Sequence, residues 1–293
     1  MVSTERLHQH VIAVPPLARK SDGSFCDANN QKIIDHIVAG GVKTFLYGGN
    51  AMVYHMPMSV YEDMLGFLAS LPEDLLLVPS LGPSFGLMMD QAKCLAAHAF
   101  PTAMILPTRE IADDVGIERA VHEVAEALNR PVVLYLKFEN YLSTETVSRL
   151  FESGAISWIK YAVVRQDPKD DEELTRLVDA VDQQRIISGI GEQPAIIHMR
   201  DFGLGGYTSG CVCVNPTPSQ RMLGLCRDGN WDAAEEIRES YEPLEDLRNE
   251  IHPISVLHEA VQLAGIAQTG AVPPLLSPLS DVNRERVNDA VNS

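Results

Sequence analysis

The chain has 293 residues, of which 45% are hydrophobic and 22% are charged, a balance that is typical of folded globular proteins. Its formal net charge of −17 excludes nucleic acid and anionic membrane surfaces as the main partners, although a local site can still bind a small anion. The sequence has no apolar run of the ~18 residues that span a bilayer, no signal-peptide pattern and no CxxC pair, so we expect a cytoplasmic protein.

Eight short β-branched or apolar runs recur along the chain, and each is followed by a polar turn and a segment with helical spacing. These runs are residues 11–14, 44–48, 75–80, 102–107, 131–137, 156–163, 185–191 and 207–214. Strands that are apolar throughout and alternate with helices imply a parallel sheet covered on its faces. Eight such units predict an α/β protein with a closed (β/α)8 barrel, the TIM barrel.

The last part of the chain is predicted to be helical, because no clear strand follows residue 214. Helical segments are expected at residues 230–246, 247–268 and 282–292. We therefore predict a barrel over residues 1–224 and a C-terminal helical appendage, packed on the barrel, over residues 225–293.

Two cysteines stand close together on the predicted eighth strand. Alternation along a strand sends Cys211 and Cys213 to the same face, so they are either a metal or redox pair or two small apolar fillers. We favour the fillers, since neither HxH nor paired carboxylates occur at the predicted strand ends, and we expect no metal.

The sixth strand carries an unusual lysine, Lys160, in the run SWIKYAVVR. An ammonium inside a sheet costs several kcal/mol unless it is paired or loses its proton. Alternation directs Lys160 into the barrel, and on the fifth strand it directs Tyr135 and Lys137 inward. Since neighbouring strands lie about 4.8 Å apart, the Tyr135 hydroxyl and the Lys160 amine are expected to meet.

This placement of Lys160 has a chemical use. A desolvated lysine loses its proton readily, and the neutral amine attacks a ketone to form a Schiff base. Lys137 would depress the pKa of Lys160 further, while Tyr135 would move protons to and from the reacting oxygens. The alternative is a lysine that snorkels at a strand end or pairs with a buried acid.

Five segments in this order resemble the dihydrodipicolinate synthase / N-acetylneuraminate lyase family of class I aldolases. They are VIAVPPLARKSDGSFCDANNQKIIDHIVAGGV, VVLYLK, SWIKYA, SGIGEQ and GGYTSGCVCVNPTPSQ. The resemblance covers the whole barrel and implies that Lys160 is the Schiff-base lysine and Tyr135 the catalytic tyrosine. It also implies a 2-oxo acid partner such as pyruvate, no cofactor, and a homo-oligomer, either a dimer or a tetramer.

The predicted substrate-binding residues lie where the sequence departs from the family pattern. The family usually has GTTGE or GGTGE after the second strand, whereas this chain has YGGNAM at residues 47–52. Gly48 and Gly49 keep the open backbone, and Asn50 takes the place of a hydroxyl residue that holds the substrate carboxylate. Asn50 is otherwise an ordinary turn residue.

Three further residues complete the predicted site. Lys137 is expected either to bind a carboxylate or to lie on the surface at the end of its strand. Glu192 is expected either to contact substrate hydroxyls or to cap the next helix. Ser209 begins the segment 209–215 at the carboxyl end of the predicted eighth strand, and we expect it to bind substrate.

Two departures argue against dihydrodipicolinate synthesis itself. The family's synthases carry a subunit-crossing tyrosine after the fourth strand, where this chain has Thr108 and Arg109. Their carboxylate-binding arginine is also missing, because the stretch YLKFENYL contains no arginine. A slight likeness of the GG and YEDML stretches points instead to the family's sugar-acid dehydratases.

We therefore predict a Schiff-base lyase, of aldolase or dehydratase type, that acts on pyruvate or a 2-oxo (sugar) acid through Lys160. The alternative is a catalytically silent member that binds a ligand or serves in assembly.

Overall fold

A computed structural model describes residues 2–292 and contains a closed barrel of eight parallel strands. The strands follow each other around the barrel in chain order, and the last pairs with the first. They are β1 (Ile12–Ala13), β2 (Thr44–Tyr47), β3 (Leu76–Leu81), β4 (Met104–Ile105), β5 (Val132–Leu136), β6 (Ile156–Tyr161), β7 (Ile186–Ser188) and β8 (Gly206–Ser209). The predicted (β/α)8 barrel is confirmed.

Helices connect the strands and extend beyond the last one. A short helix, α1 (Thr4–His8), precedes the barrel. The helices between strands are α2 (Asp27–Ala39), α3 (Met58–Ala69), α4 (Phe85–Ala96), α5 (Asp114–Leu128), α6 (Thr144–Glu152), α7 (Glu172–Ala180) and α8 (Ala195–Asp201). After β8 come α9 (Pro216–Arg227), α10 (Trp231–Glu250), α11 (Pro253–Leu263) and α12 (Asp281–Asn292). The described part of the chain therefore ends in the helices that the sequence predicts.

Local sequence explains where the helices begin and end. In α6, the Ser143 hydroxyl accepts a hydrogen bond from the Thr146 amide at 3.2 Å, as an N-cap does. The same helix ends at Glu152, and Gly154 follows with a φ of +75°. This positive φ suits glycine, so the chain turns there toward β6.

The pairing of β5 with β6 positions the candidate site. Tyr135 lies directly opposite Lys160, and Val133 lies opposite Trp158. Because side chains alternate along a strand, Trp158 and Lys160 share one face of β6. Trp158 precedes Lys160 by two residues on this face and is fully buried in the barrel core. Lys160 therefore lies above the core, toward the carboxyl end of the strand.

The eighth strand is shorter than predicted, and the placement of Cys211 and Cys213 on a strand is wrong. Beyond β8 the chain bends at Gly210, and Cys211–Cys213 forms a 3-10 turn. The Ser209 hydroxyl accepts from the Val212 amide at 3.0 Å, which favours this turn over an extended strand. Both cysteines are buried free thiols packed among apolar side chains, as expected for small apolar fillers.

The C-terminal helices pack on the barrel through a small hydrophobic cluster of their own. Its buried members are Cys211, Tyr241, Leu244, Leu247, Val256, Ala260 and Val287. The predicted division between residues 224 and 225 falls inside α9. Among residues 2–292, no helix combines the length and the apolar character that crossing a membrane requires.

Candidate active site

A cavity of about 210 Å³ opens at the carboxyl ends of the strands, and residues of α10 and α11 form part of its wall. The barrel contributes most of its polar lining, while the segment from α10 to α11 contributes the rest. The residues that matter here are Gly49, Asn50, Tyr54, Tyr135, Lys137, Lys160, Gly210, Arg248 and Pro253. The structure therefore brings five of the eight predicted site residues into one cavity.

Lys160 is buried, with 6% of its surface exposed, and forms no ion pair among residues 2–292. Its amine lies over the Tyr135 ring, 4.6 Å from the ring centroid, rather than at the hydroxyl. Burial, with smaller contributions from the charges of Lys137 and Arg248, lowers the pKa of Lys160 to about 7. A large fraction of the amine is therefore neutral at physiological pH, the form that attacks a carbonyl carbon.

Tyr135 is nearly buried beside that amine, and burial raises the pKa of its phenol. The phenol is consequently protonated at neutral pH and is available as a proton donor. Strand pairing explains the contact, since Tyr135 and Lys160 are direct partners across β5 and β6. The predicted pairing of these two residues is thus present, although the amine meets the ring face.

The turn after β2 forms another wall of the cavity. The Asn50 side-chain amide donates to the Val14 carbonyl at 2.7 Å, and the Asn50 carbonyl accepts from His258 Nε2 at 3.0 Å. Gly49 lines the cavity with Asn50, whereas Gly48 is not among its lining residues and packs against Met104 and Ser80. The turn is therefore fixed both by the loop after β1 and by α11, so its shape is set before any ligand binds.

Lys137 follows β5 and points toward two aromatic rings. Its amine lies 5.8 Å from the ring centroid of Tyr54 and 5.7 Å from that of Phe138. The residue as a whole stays exposed, but the protein around its amine lowers the pKa of Lys137. It makes no ion pair among the described residues, so its charge faces the cavity unopposed.

Glu192 and Ser209 do not line the cavity. Both are buried, and the Ser209 hydroxyl donates to Glu192 Oε2 at 2.8 Å while the Ser219 hydroxyl donates to Glu192 Oε1 at 2.6 Å. The amide of Glu192 in turn donates to Glu245 Oε1 at 2.9 Å. Glu192 and Ser209 therefore belong to a hydrogen-bonded cluster that joins the barrel to α10.

Glu245 of α10 completes this cluster. Its second oxygen accepts from the Gln193 amide at 3.0 Å, and a Cβ at Gly191 would lie 1.9 Å from Oε1, so only glycine permits the approach. Burial and the neighbouring carboxyl of Glu192 raise the pKa of Glu245 well above its usual value. Burial and mutual repulsion therefore disfavour the state in which both carboxyl groups are ionised.

The same cluster contains the described residues that come closest to a metal-binding set. Ligand atoms of Glu192, Glu245 and Cys211 lie within 4.8 Å of one another. The carboxyl oxygens already accept hydrogen bonds from two hydroxyl and two amide groups, and burial raises the pKa of the Cys211 thiol. Metal ligation requires deprotonated groups, so this set fits a hydrogen-bonded carboxyl pair better than a metal site.

Two lining residues were missed by sequence reasoning. Tyr54 lies only four residues beyond Asn50, so its position in the same loop was a usable signal. Arg248 lies on α10, and its Nε donates to the Pro253 carbonyl at 3.2 Å. Nothing in the local sequence marks Arg248, because only the docking of α10 on β8 brings it to the cavity.

Comparison with known proteins places these features in a family. The sequence profile of the "Dihydrodipicolinate synthetase family" matches residues 111–293, which is more than half of the chain. No curated protein matches the chain significantly.

Solved structures agree with the architecture over nearly the whole chain. Dihydrodipicolinate synthase from Bacillus clausii has a TM-score of 0.85 at 22% identity and covers 99% of this chain and 98% of its own. The enzyme from Agrobacterium tumefaciens has a TM-score of 0.86 at 18% identity, with 98% of each chain covered. A prophage protein of the dihydrodipicolinic acid synthase family from E. coli K12, solved with pyruvate, has a TM-score of 0.84 at 17% identity, with 97% of each chain covered. At such identities these likenesses show the shared fold, and with the profile match they lead to one conclusion: this chain belongs to the dihydrodipicolinate synthetase family.

Proposed function

We propose that this protein is a Schiff-base-forming lyase that acts on pyruvate or another 2-oxo acid through Lys160. One observation carries the proposal: a buried lysine with a pKa of about 7 faces a protonated phenol in a cavity at the end of a barrel. The structural neighbour solved with pyruvate supports the choice of ligand.

The proposed reaction begins with attack of the neutral Lys160 amine on the ketone carbon of the substrate. Tyr135 donates a proton as the carbinolamine loses water, which leaves an iminium ion on Nζ. In a retro-aldol step, the Tyr135 phenolate takes the proton of the C4 hydroxyl as the C3–C4 bond breaks, the electron pair of that bond passes to the iminium to give an enamine, and a proton then returns to C3. In a dehydration, the phenolate instead takes the C3 proton to give the enamine, and the C4 hydroxyl then leaves with a proton as water. Hydrolysis of the imine then frees the product and restores the amine.

The other predicted residues take supporting roles in this proposal. The substrate carboxylate next to the imine is held at the turn of Gly48, Gly49 and Asn50, which is fixed from two sides. Lys137 adds a positive charge that lowers the pKa of Lys160 and attracts an anionic substrate. Glu192 and Ser209 act indirectly, by fixing the end of β8 against α10.

Dihydrodipicolinate synthesis is not the proposed reaction. Thr108 and Arg109 stand where the family's synthases place their subunit-crossing tyrosine, and residues 134–142 contain no arginine. We expect purified protein to give no condensation of pyruvate with aspartate semialdehyde in a coupled assay. Turnover at the rate of an authentic synthase would contradict this part of the proposal.

Borohydride reduction in the presence of pyruvate tests the proposal. We expect a single adduct by intact mass in the wild type and none in Lys160→Ala. Lys93→Ala is the matched control, since Lys93 is an exposed lysine paired with Asp90 at 3.0 Å on α4. If no 2-oxo acid in a panel gives an adduct, the silent, ligand-binding alternative stands instead.

A further inference from the structure

The cavity around Lys160 is far more cationic than one 2-oxo acid carboxylate requires. Lys137, Lys160 and Arg248 all line it, and none of its lining residues among 2–292 is Asp or Glu. This is notable in a chain whose formal net charge is −17. If Lys160 reacts as a neutral amine, Lys137 and Arg248 remain as cations, whereas the proposed function assigns the one carboxylate of pyruvate to the turn at Asn50.

Arg248 is the cation that the fold holds most firmly. Its guanidinium lies against Gly210 at the end of β8, where a Cβ would come within 2.7–2.8 Å of its Cζ, Nη1 and Nη2 atoms. Nε donates to the Pro253 carbonyl at 3.2 Å, and Nη1 contacts Cys211 Sγ at 3.8 Å. No carboxylate among the described residues pairs with it, so its Nη2 edge is free for an anion.

Building on the proposed function, we propose that Arg248 binds a second anionic group of the substrate. The substrate is then a 2-oxo acid with two negative charges: one carboxylate beside the ketone and a carboxylate at its far end. Arginine suits this task because its planar fork binds a carboxylate through two parallel hydrogen bonds. The C-terminal appendage thereby becomes part of the binding site and determines its specificity.

A purely structural role for Arg248 is the competing explanation. Arg248 lies near Glu245 and Glu192, and its charge would compensate for theirs. It forms no ion pair with either carboxyl group, however, and Glu245 already accepts from two backbone amides. A structural role predicts changed stability, whereas the proposed role predicts a changed preference between two ligands that differ only in their distal charge.

The experiment compares 2-oxoglutarate with 2-oxopentanoate, which share a five-carbon chain and differ by a terminal carboxylate in place of a methyl group. Imine formation is trapped with borohydride over a range of ligand concentrations, and adduct is quantified by intact mass. We expect the half-saturating concentration of 2-oxoglutarate to be about tenfold lower or more in the wild type, as expected for a charge-assisted hydrogen bond. Because both ligands are measured on the same protein, any change in the reactivity of Lys160 cancels from the ratio.

Three variants sharpen the comparison. Arg248→Gln should bring the ratio close to one, and Gly210→Ala should reduce it by displacing the guanidinium while keeping its charge. Arg238→Gln is the control on the same helix, because Arg238 pairs at 2.7 Å with Glu235 and with Glu242, outside the cavity lining, and its ratio should equal that of the wild type. Circular dichroism confirms that each variant is folded.

The outcomes separate this inference from the proposed function. If pyruvate forms an adduct but the wild type shows no preference for 2-oxoglutarate, the assignment of Arg248 is overturned and the lyase proposal survives. The assignment of Arg248 is also overturned if folded Arg248→Gln still prefers 2-oxoglutarate. Arg248 would then bind the carboxylate beside the ketone or no carboxylate at all. If no 2-oxo acid forms an adduct, both proposals fall.

Discussion

The ionisation of Lys160 offers a quantitative check on the chemistry. An amine with a pKa of about 7 is half neutral at pH 7, whereas an ordinary lysine, with a pKa of about 10.4, is neutral in only about one molecule in a few thousand. Burial is the main cause, and the charges of Lys137 and Arg248 add to it. The proposed nucleophile should therefore react about 10³ times faster at pH 7 than an exposed lysine of equal intrinsic reactivity.

One contact raises the pKa of Lys160 instead of lowering it. The face of the Tyr135 ring, 4.6 Å from the amine, favours the ammonium form by roughly 0.5–2 kcal/mol. That effect raises the midpoint of the titration to no more than about 8.5. We therefore expect the rate of pyruvate trapping to rise with pH and to level off with a midpoint between about 7 and about 8.5.

The assay measures the initial rate of adduct formation with cyanoborohydride between pH 5.5 and about 10 at fixed pyruvate concentration. Lys137→Met removes a nearby charge, so the pKa of Lys160 and the midpoint should both rise. Lys93→Met, at an exposed position with a carboxylate partner, should leave the midpoint in place. A wild-type midpoint near that of free lysine, or no response to Lys137→Met, would refute the argument that burial and neighbouring charge activate this amine.

Three other predictions concern turnover, stability and assembly. Tyr135→Phe should lower turnover by about 10²-fold or more, as loss of a general acid does, and a near-normal rate would remove Tyr135 from the mechanism. Because the folded state raises the pKa of Glu245, this group stabilises the fold at low pH, and that contribution is lost as pH rises from about 4.5 through the raised value. Urea unfolding should accordingly show the advantage of the wild type over Glu245→Gln shrinking as pH rises, and a pH-independent difference would contradict this. Sedimentation should show a dimer or a tetramer. Ile111→Glu should weaken this assembly, because Ile111 is 91% exposed and lines an apolar groove with residues of α4 and α5, whereas the control Leu275→Glu should not. A monomeric wild type would contradict the expected assembly.

Much of the fold followed from periodicity. The eight apolar runs correspond to the eight strands, because a parallel barrel buries both faces of each strand and so requires continuous apolar sequence. The error at Cys211 and Cys213 arose where an apolar run outlasted the strand. There a hydrogen bond from the Val212 amide to the Ser209 hydroxyl turned the chain, and alternation alone does not contain that information.

Site residues could be predicted from the sequence only where their positions depend on one strand or on two neighbouring strands. Lys160 and Tyr135 follow from alternation and the pairing of adjacent strands, both of which are local rules. The surroundings of Glu192 depend on Ser219 and Glu245, which arrive from α9 and α10 much later in the chain. Arg248 likewise reaches the cavity through the docking of the appendage, and no spacing in the sequence encodes that contact.

The central claim is that Lys160, and not the other lysine in the cavity, forms the covalent bond to substrate. Peptide mapping after borohydride reduction with pyruvate tests it directly, because Lys137 lines the same cavity and is the natural competitor. The account predicts that the adduct lies on the peptide containing Lys160, with Lys137 unmodified. An adduct on Lys137, or one spread over both lysines, would contradict it.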